Sequence, residues 1–343
     1  MIGGIIMKKK ILSSMLAAFM AFSLVACGNG KAADSGAKKE SSLTKVTLGM
    51  TTWPTNELYY LAKEKGIFEK NGLDVEIQEF TSTTESSNAF IGGKLDFCTA
   101  PSSETIAPYS QGAKFNVVLV SDKSNGCEGL IAKPEIKSIK ELKGKTIATQ
   151  LYSVDHMFLL TLLADAGMSK NDVNIVDMSI QQSGNAFIAG KVDAACVWDP
   201  YFSNAKNSGG TVLYSSKDNP DLITDTLLAS SDIVNNKPEV AQAIVKSFFQ
   251  ARDYWKQNPD EANGFMAGKM GVDKKEFASE MEGLIIPDIN EELKIFKEAD
   301  DYTYWAYTQN KIEKFMKELG AISKDVDCKD LINDKFVKGY SGN

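Results

Sequence analysis

Ser153, Asp155 and His156 stand within four positions of one another in LYSVDHMFLL (151–160), and His156 is the only histidine of the chain. Serine, histidine and aspartate are the groups of nucleophilic acyl transfer, where serine must touch one imidazole nitrogen and the carboxylate the other. The spacing argues against that use. The apolar run that follows reads as a helix, and adjacent side chains on a helix point about 100° apart, so these three cannot close a relay among themselves. No GxSxG turn supplies another serine. A serine just ahead of a helix is ordinarily its N-cap, and a capped N-terminus still presents N–H groups and positive dipole to an anion. The segment therefore reads as a binding feature. Asp155 has two readings: facing a ligand it asks for positive charge or hydrogen-bond donors, and facing away it complements its own helix start.

Side chains of the same kinds gather in four other short segments: TTWPTNE (51–57), TAPSSE (99–104), SNGCEG (124–129) and VWDPY (197–201). Trp53, Trp198, Tyr152 and Tyr201 offer flat apolar walls. Thr99, Ser102, Ser103 and Ser153 offer hydroxyls, and Glu57, Glu128, Asp155 and Asp199 offer carboxylates. Aromatic walls with a few placed polar groups describe a small-molecule pocket. With Cys127 and His156 these, Tyr201 aside, are the expected ligand-binding residues. Each has a structural competitor: packing for the tryptophans, capping for Ser102 and Ser153, a helix-start charge for Glu57, a small buried group for Cys127.

Arg252 is the sole arginine and lies in a Lys- and Asp-rich amphipathic stretch, so the usual bidentate clamp for carboxylate or phosphate is missing from these segments. An anion would be held by hydroxyls and helix N–H groups, which suits a sulfonate. Glu128 and Asp155 would suit an amine at the other end, as in taurine. A pyrimidine-like heterocycle between Trp53 and Trp198 fits the walls equally well. Cys98, Cys127, Cys196 and Cys328 form no CxxC pair and have no companion histidines, so no metal and no cofactor is expected, and the thiols are read as free.

An internal repeat indicates which elements position these loops. NAFIGGKLD (88–96) and NAFIAGKVD (185–193) share seven of nine residues at an offset of 97. Around each copy runs the same order of strand, loop, helix, strand, helix, strand, which argues for parallel βαβ units with right-handed crossovers. In such sheets ligands sit beyond the carboxyl ends of the strands, where these segments fall. The expected organisation is an α/β fold of two lobes: 45–125 with 228–343, and 126–227. TLLASSDIV (226–234) offers the return, and two crossovers would act as a hinge.

At the N-terminus Lys8, Lys9 and Lys10 precede a 16-residue apolar run that ends at Cys27. This pattern is a secretory signal and is short for a membrane span. LVAC (24–27) resembles the lipobox of bacterial lipoproteins, which implies cleavage before Cys27 and a diacylglyceryl anchor on it. Residues 28–44 are Gly/Ser/Ala/Lys-rich and read as a flexible tether. Removing 1–27 takes three lysines from the 38 basic residues and no acids, leaving 35 against 45, a net charge of −10. So acidic a chain argues against nucleic acid as a partner.

The segments WPTNELYYLAKEKGIFEKNGLDVEI, AFIGGKLDF, ELKGKTIATQLYSVDHMFLL and AFIAGKVDAACVWDPY resemble the nitrate/sulfonate/taurine-type solute-binding proteins of bacterial ABC importers, a group that includes binders of thiamine-pyrimidine precursors. The resemblance implies a type II-like periplasmic-binding-protein fold with a helical C-terminal extension. It implies a monomer anchored on the outer face of the cell membrane, with an ABC permease and its ATPase as partners. It puts Trp53, Ser102, Ser153 and Trp198 in the cleft. Sulfonate-binding members tend to have glycine where this chain has Tyr152 and a neutral residue where it has Asp155. Some fungal relatives of the fold are pyrimidine-forming enzymes with a cysteine-rich run that this chain lacks, so a binder is expected; a ligand-sensing lipoprotein is the alternative.

Overall fold

The computed structural model describes residues 43–340, which lie in one compact unit. The chain first lays down β1 (Thr44–Thr51), β2 (Leu73–Phe80), β3 (Phe97–Pro101) and β4 (Phe115–Ser124). It then builds a second sheet from β5 (Glu128–Ala132), β6 (Thr146–Thr149), β7 (Asn174–Asp177), β8 (Ala194–Trp198) and β9 (Thr211–Ser215). Finally it returns to the first with β10 (Thr224–Ser230) and the short β11 (Leu284–Ile285). The first sheet runs β11-β4-β10-β3-β1-β2 and the second β7-β6-β8-β5-β9. In each, three parallel strands (β2-β1-β3, β7-β6-β8) are followed by an antiparallel strand that has just crossed from the other lobe. Both sheets are covered on both faces, which is why β5 and β8 read as unbroken small or apolar runs and are buried nearly throughout.

The repeat has a structural function. Its helices, Thr83–Ile91 and Ile180–Ile188, are capped by Ser82 and Ser179. Each copy ends in an aspartate that enters the sheet beside the central strand. Asp96 accepts from Thr47 N (2.8 Å) and Thr47 Oγ1 (2.9 Å), and Asp193 accepts from Thr146 N (3.0 Å) and Lys133 Nζ (2.8 Å). A charge-assisted bond to a strand amide at this point fixes where β3 and β8 begin.

Two crossovers join the sheets, at 125–127 and 216–223, and they run side by side. Ser124 N donates to Ile223 O (2.9 Å), while Ser216 Oγ accepts from Gly126 N (2.7 Å) and bonds Ser124 Oγ (2.6 Å). The expected boundary at 227/228 falls inside β10, whose full length pairs in the first sheet; the return is complete by Thr224. The C-terminal region also departs from its expected place wholly within the first lobe. Helix Pro238–Gln257 does pack there, with Phe248 against Tyr59. Helix Trp305–Glu318 instead touches both lobes: Trp305 Nε1 donates to Ser102 Oγ (2.9 Å), and Lys311 pairs with Asp165 of the second lobe (2.9 Å). Among the described residues no helix is long and apolar enough to cross a membrane. The expected signal, Cys27 anchor and nearly all of the tether lie outside the described residues.

Candidate functional site

A cleft of about 770 Å³ opens between the carboxyl ends of the two sets of strands, a size that suits a small organic molecule. From the first lobe it is lined by Thr51–Trp53 after β1, Ser82–Thr84 at a helix start, Thr99–Pro101 and Glu104 after β3, and Asp122 and Ser124 on β4. Glu128, Gln150–Val154 and Trp198 line it from the second lobe, with Ile223 and Asp225 at the return crossover. Met316 and Ala321 reach it from the C-terminal region.

Carboxylates dominate its electrostatics. Asp122 is 2% exposed and accepts from Trp53 Nε1 (3.2 Å); burial pushes its carboxyl up to about 7 despite that bond. Glu128, the first residue of β5, is also buried and takes the Ser124 hydroxyl on Oε2. Burial, with the Asp122 and Asp199 charges adding, raises it to about 7. Asp225 stands opposite Asp122 in the β10–β4 pairing. Burial first, then the charges of Asp122, Glu128 and Glu104, holds it well above the usual carboxylate range. No lysine, arginine or histidine is among the lining residues. Lys123, next to Asp122 in β4, is paired with Asp221 (2.6 Å).

The Ser153–His156 turn is a helix start. Ser153 Oγ donates to Gln150 O (2.7 Å) and accepts from His156 N (3.3 Å). His156 is buried, its Nδ1 accepts from Tyr152 N (3.1 Å), and burial drives its pKa down to about 4, so the ring is neutral. Asp155 points away from both. It is fully buried beside β8, its Oδ1 accepts from Cys196 Sγ (4.0 Å), and desolvation followed by the Glu128 charge holds its carboxyl well above the usual carboxylate range. Tyr152 has φ of 64°, the left-handed region that favours glycine, and its side chain is 56% exposed at the cleft.

Of the expected ligand-binding residues, Trp53, Thr99, Glu128, Tyr152, Ser153 and Trp198 line the cleft. The others do not, each for a local reason. Ser102 Oγ is engaged by Thr224 and Trp305, and Ser103 is buried beside it. Glu57 lies beneath its helix, where burial raises it to about 8. Cys127 Sγ contacts Ser124 Oγ (3.2 Å) and donates to Gly283 O (3.4 Å), and Asp199 accepts from Ser203 N (2.8 Å). Asp155 and His156 are absorbed into the second lobe as described. All four described cysteines are free. Sequence reasoning passed over Asp122, Asp225, Glu104 and the Ser82–Thr84 turn. Asp122 and Asp225 stand among polar residues (SDKS, TDT) at the ends of apolar strand runs, where a carboxylate is ordinary, so little set them apart.

Residues 53–262 match the protein family described as NMT1/THI5 like. A protein of Bacillus subtilis (strain 168) named for binding aliphatic sulfonates is 28% identical over 92% of this chain and 93% of its own length. The taurine-binding periplasmic protein of Escherichia coli (strain K12) is 29% identical over 56% of this chain and 61% of its own. The fold matches that of the periplasmic aliphatic sulphonate binding protein from Escherichia coli with a TM-score of 0.71 at 23% identity, over 85% of this chain and 93% of that one. A desulfurization enzyme has the same fold at a TM-score of 0.60 and 13% identity, over 87% of this chain and 99% of that one.

Proposed function

The chain belongs to the NMT1/THI5-like family, and we propose that it is the extracytoplasmic solute-binding component of an ABC importer, closing two lobes around a small organic solute and presenting it to a permease. The observation that carries this reading is the cleft between two sheets joined by paired crossovers, the layout in which domains rotate about a hinge. Capture without turnover is supported by the use of Ser153 and His156 in local capping bonds.

The relatives' names favour an aliphatic sulfonate or a taurine-like compound. Two helix starts line the cleft, at Ser82–Thr84 and Ser153–Val154, and their free N–H groups suit a sulfonate. The carboxylates at the centre favour a solute that bears an amine as well. An aminopyrimidine, flat enough to lie against Trp53 and Trp198, is the second reading those walls support. Lipidation of Cys27 would hold this monomer at the outer face of the membrane by its tether. Calorimetric titration of the full chain against alkanesulfonates, taurine and aminopyrimidines tests the proposal. Saturable binding of an intact compound, weakened at least tenfold by Trp53→Ala, is expected, whereas conversion of any of them into product would refute a pure binder.

A further inference from the structure

We propose that the cleft selects its ligand by a protonated nitrogen, held by Asp122, Asp225 and Glu128, and rejects anions that lack one. The inference deepens the solute-binding reading and rests on it. The three carboxylates come from three strands of two lobes. Asp122 and Asp225 are cross-strand partners on β4 and β10, and Glu128 begins β5 just past the first crossover. Asp122 disfavours charge on Glu128, and Asp122, Glu128 and Glu104 together disfavour it on Asp225.

Nothing on the protein answers these charges. The lining residues include no cation, and Lys123 is occupied by Asp221. Glu128 is 4% exposed, and only its Oε2 accepts hydrogen bonds, from Ser124 and Cys127; Oε1 receives none. Asp122 is met by the Trp53 indole and the Thr55 hydroxyl, both uncharged groups, and no cation reaches it. Carboxylates largely withdrawn from water and met only by neutral donors are poorly stabilised as anions, and a ligand that brings positive charge would stabilise them. Among the described residues no three such side chains are placed to hold a metal ion, and a protonated nitrogen would supply both the charge and the donors. The aromatic walls agree, because the faces of Trp53, Trp198 and Tyr152 attract a positively charged nitrogen. A sulfonate at the helix starts is compatible with this site and insufficient for it.

The test compares matched probes on the full wild-type chain at pH 8 by calorimetry. Taurine, a primary alkylamine and an aminomethyl-pyrimidine carry the protonated nitrogen. Ethanesulfonate and N-acetyltaurine lack it. At least one cationic probe is expected to bind, and the two nitrogen-neutral sulfonates at least 100-fold more weakly than taurine or not at all. Glu128→Gln and Asp122→Asn should each weaken the best cationic probe at least tenfold, with circular dichroism confirming the fold. Ethanesulfonate or N-acetyltaurine binding as tightly as taurine would overturn the inference and leave the solute-binding reading standing. Silence of every probe, charged or neutral, would count against the solute-binding reading itself.

Discussion

Replacing Asp122 by asparagine should stabilise the unliganded protein at pH 8 while removing affinity for the ligand. The carboxyl is raised from its ordinary 3.8 to about 7 by burial in the cleft wall. Between those values the folded state holds a proton that the unfolded chain has released. Stability therefore falls as pH rises through that window, and the full penalty stands above pH 7. At about 1.4 kcal/mol per pKa unit the ceiling is on the order of 4 kcal/mol. Asp225 and Glu128 compete for the same proton, so an expectation of about 2 kcal/mol is more realistic. Asparagine is uncharged at every pH and its Oδ1 can still accept from Trp53 Nε1, so the penalty disappears and the indole bond survives. For a folded body of this size that corresponds to a melting temperature about 3 °C higher at pH 8. At pH 5 the unfolded group has released its proton over only about a third of that window, so the difference should shrink to about a third of its pH 8 value, and it vanishes only below about pH 4. Scanning fluorimetry of both proteins at the two pH values reads this directly, because contributions of other titrating groups cancel in the comparison. A variant no more stable at pH 8, or changed equally at both pH values, would refute the assignment of Asp122 as a buried acid under electrostatic strain.

Three further outcomes follow from local geometry. The single imidazole should titrate near 4 by NMR, and because the unfolded ring takes its proton first, stability is lost as pH falls from about 6.5 towards 4; titration near 6.5 would mean that His156 is not buried as a Tyr152 N–H acceptor. Gly129→Ala should cost about 2–3 kcal/mol in urea unfolding, since its Cβ would meet the Phe202 ring at 2.3 Å and the Tyr214 carbonyl at 2.9 Å. Ser102→Ala should cost about 1–2 kcal/mol by the same measurement, by stripping the Trp305 indole and Thr224 hydroxyl of a buried partner, and should leave ligand affinity within about twofold.

Much of the fold could be read from the chain because its signals are local and duplicated. The repeated NAFI-x-G-K-x-D segments predicted two equivalent βαβ units, and the structure shows why that spacing recurs: Asp96 and Asp193 each tie the incoming strand to the central one. The loops at the carboxyl ends of the strands followed from that topology, and so did Trp53, Ser153 and Trp198 on the cleft. Side-chain direction was less accessible. Asp155 and Ser153 are two residues apart on a helix start, yet one is buried against β8 and the other faces the cleft. Which of two such groups reaches the ligand depends on how the helix is rotated over the sheet, and that rotation is set by long-range packing. Asp122 and Asp225 were missed for a related reason. Separated by about a hundred residues, they become neighbours only when β10 returns to pair with β4.

That return also gives the acids their leverage. Asp122 lies near the end of β4, Glu128 opens β5, and Asp225 is the second residue of β10, so the three carboxylates flank the two crossovers about which the lobes would turn. Asp122 and Asp225 share one sheet, so it is the repulsion of Glu128 from that pair that would oppose bringing the lobes together, and it weakens once a cation sits among them. The ligand's charge then does more than add contacts, because it removes a term that resists closure, and its differential effect on the open and closed states is what shifts their populations. A neutral ligand of the same shape could fill the cleft and touch both tryptophans without supplying that term. Charge on the solute, rather than fit to the walls, is on this argument what commits the protein to the closed form.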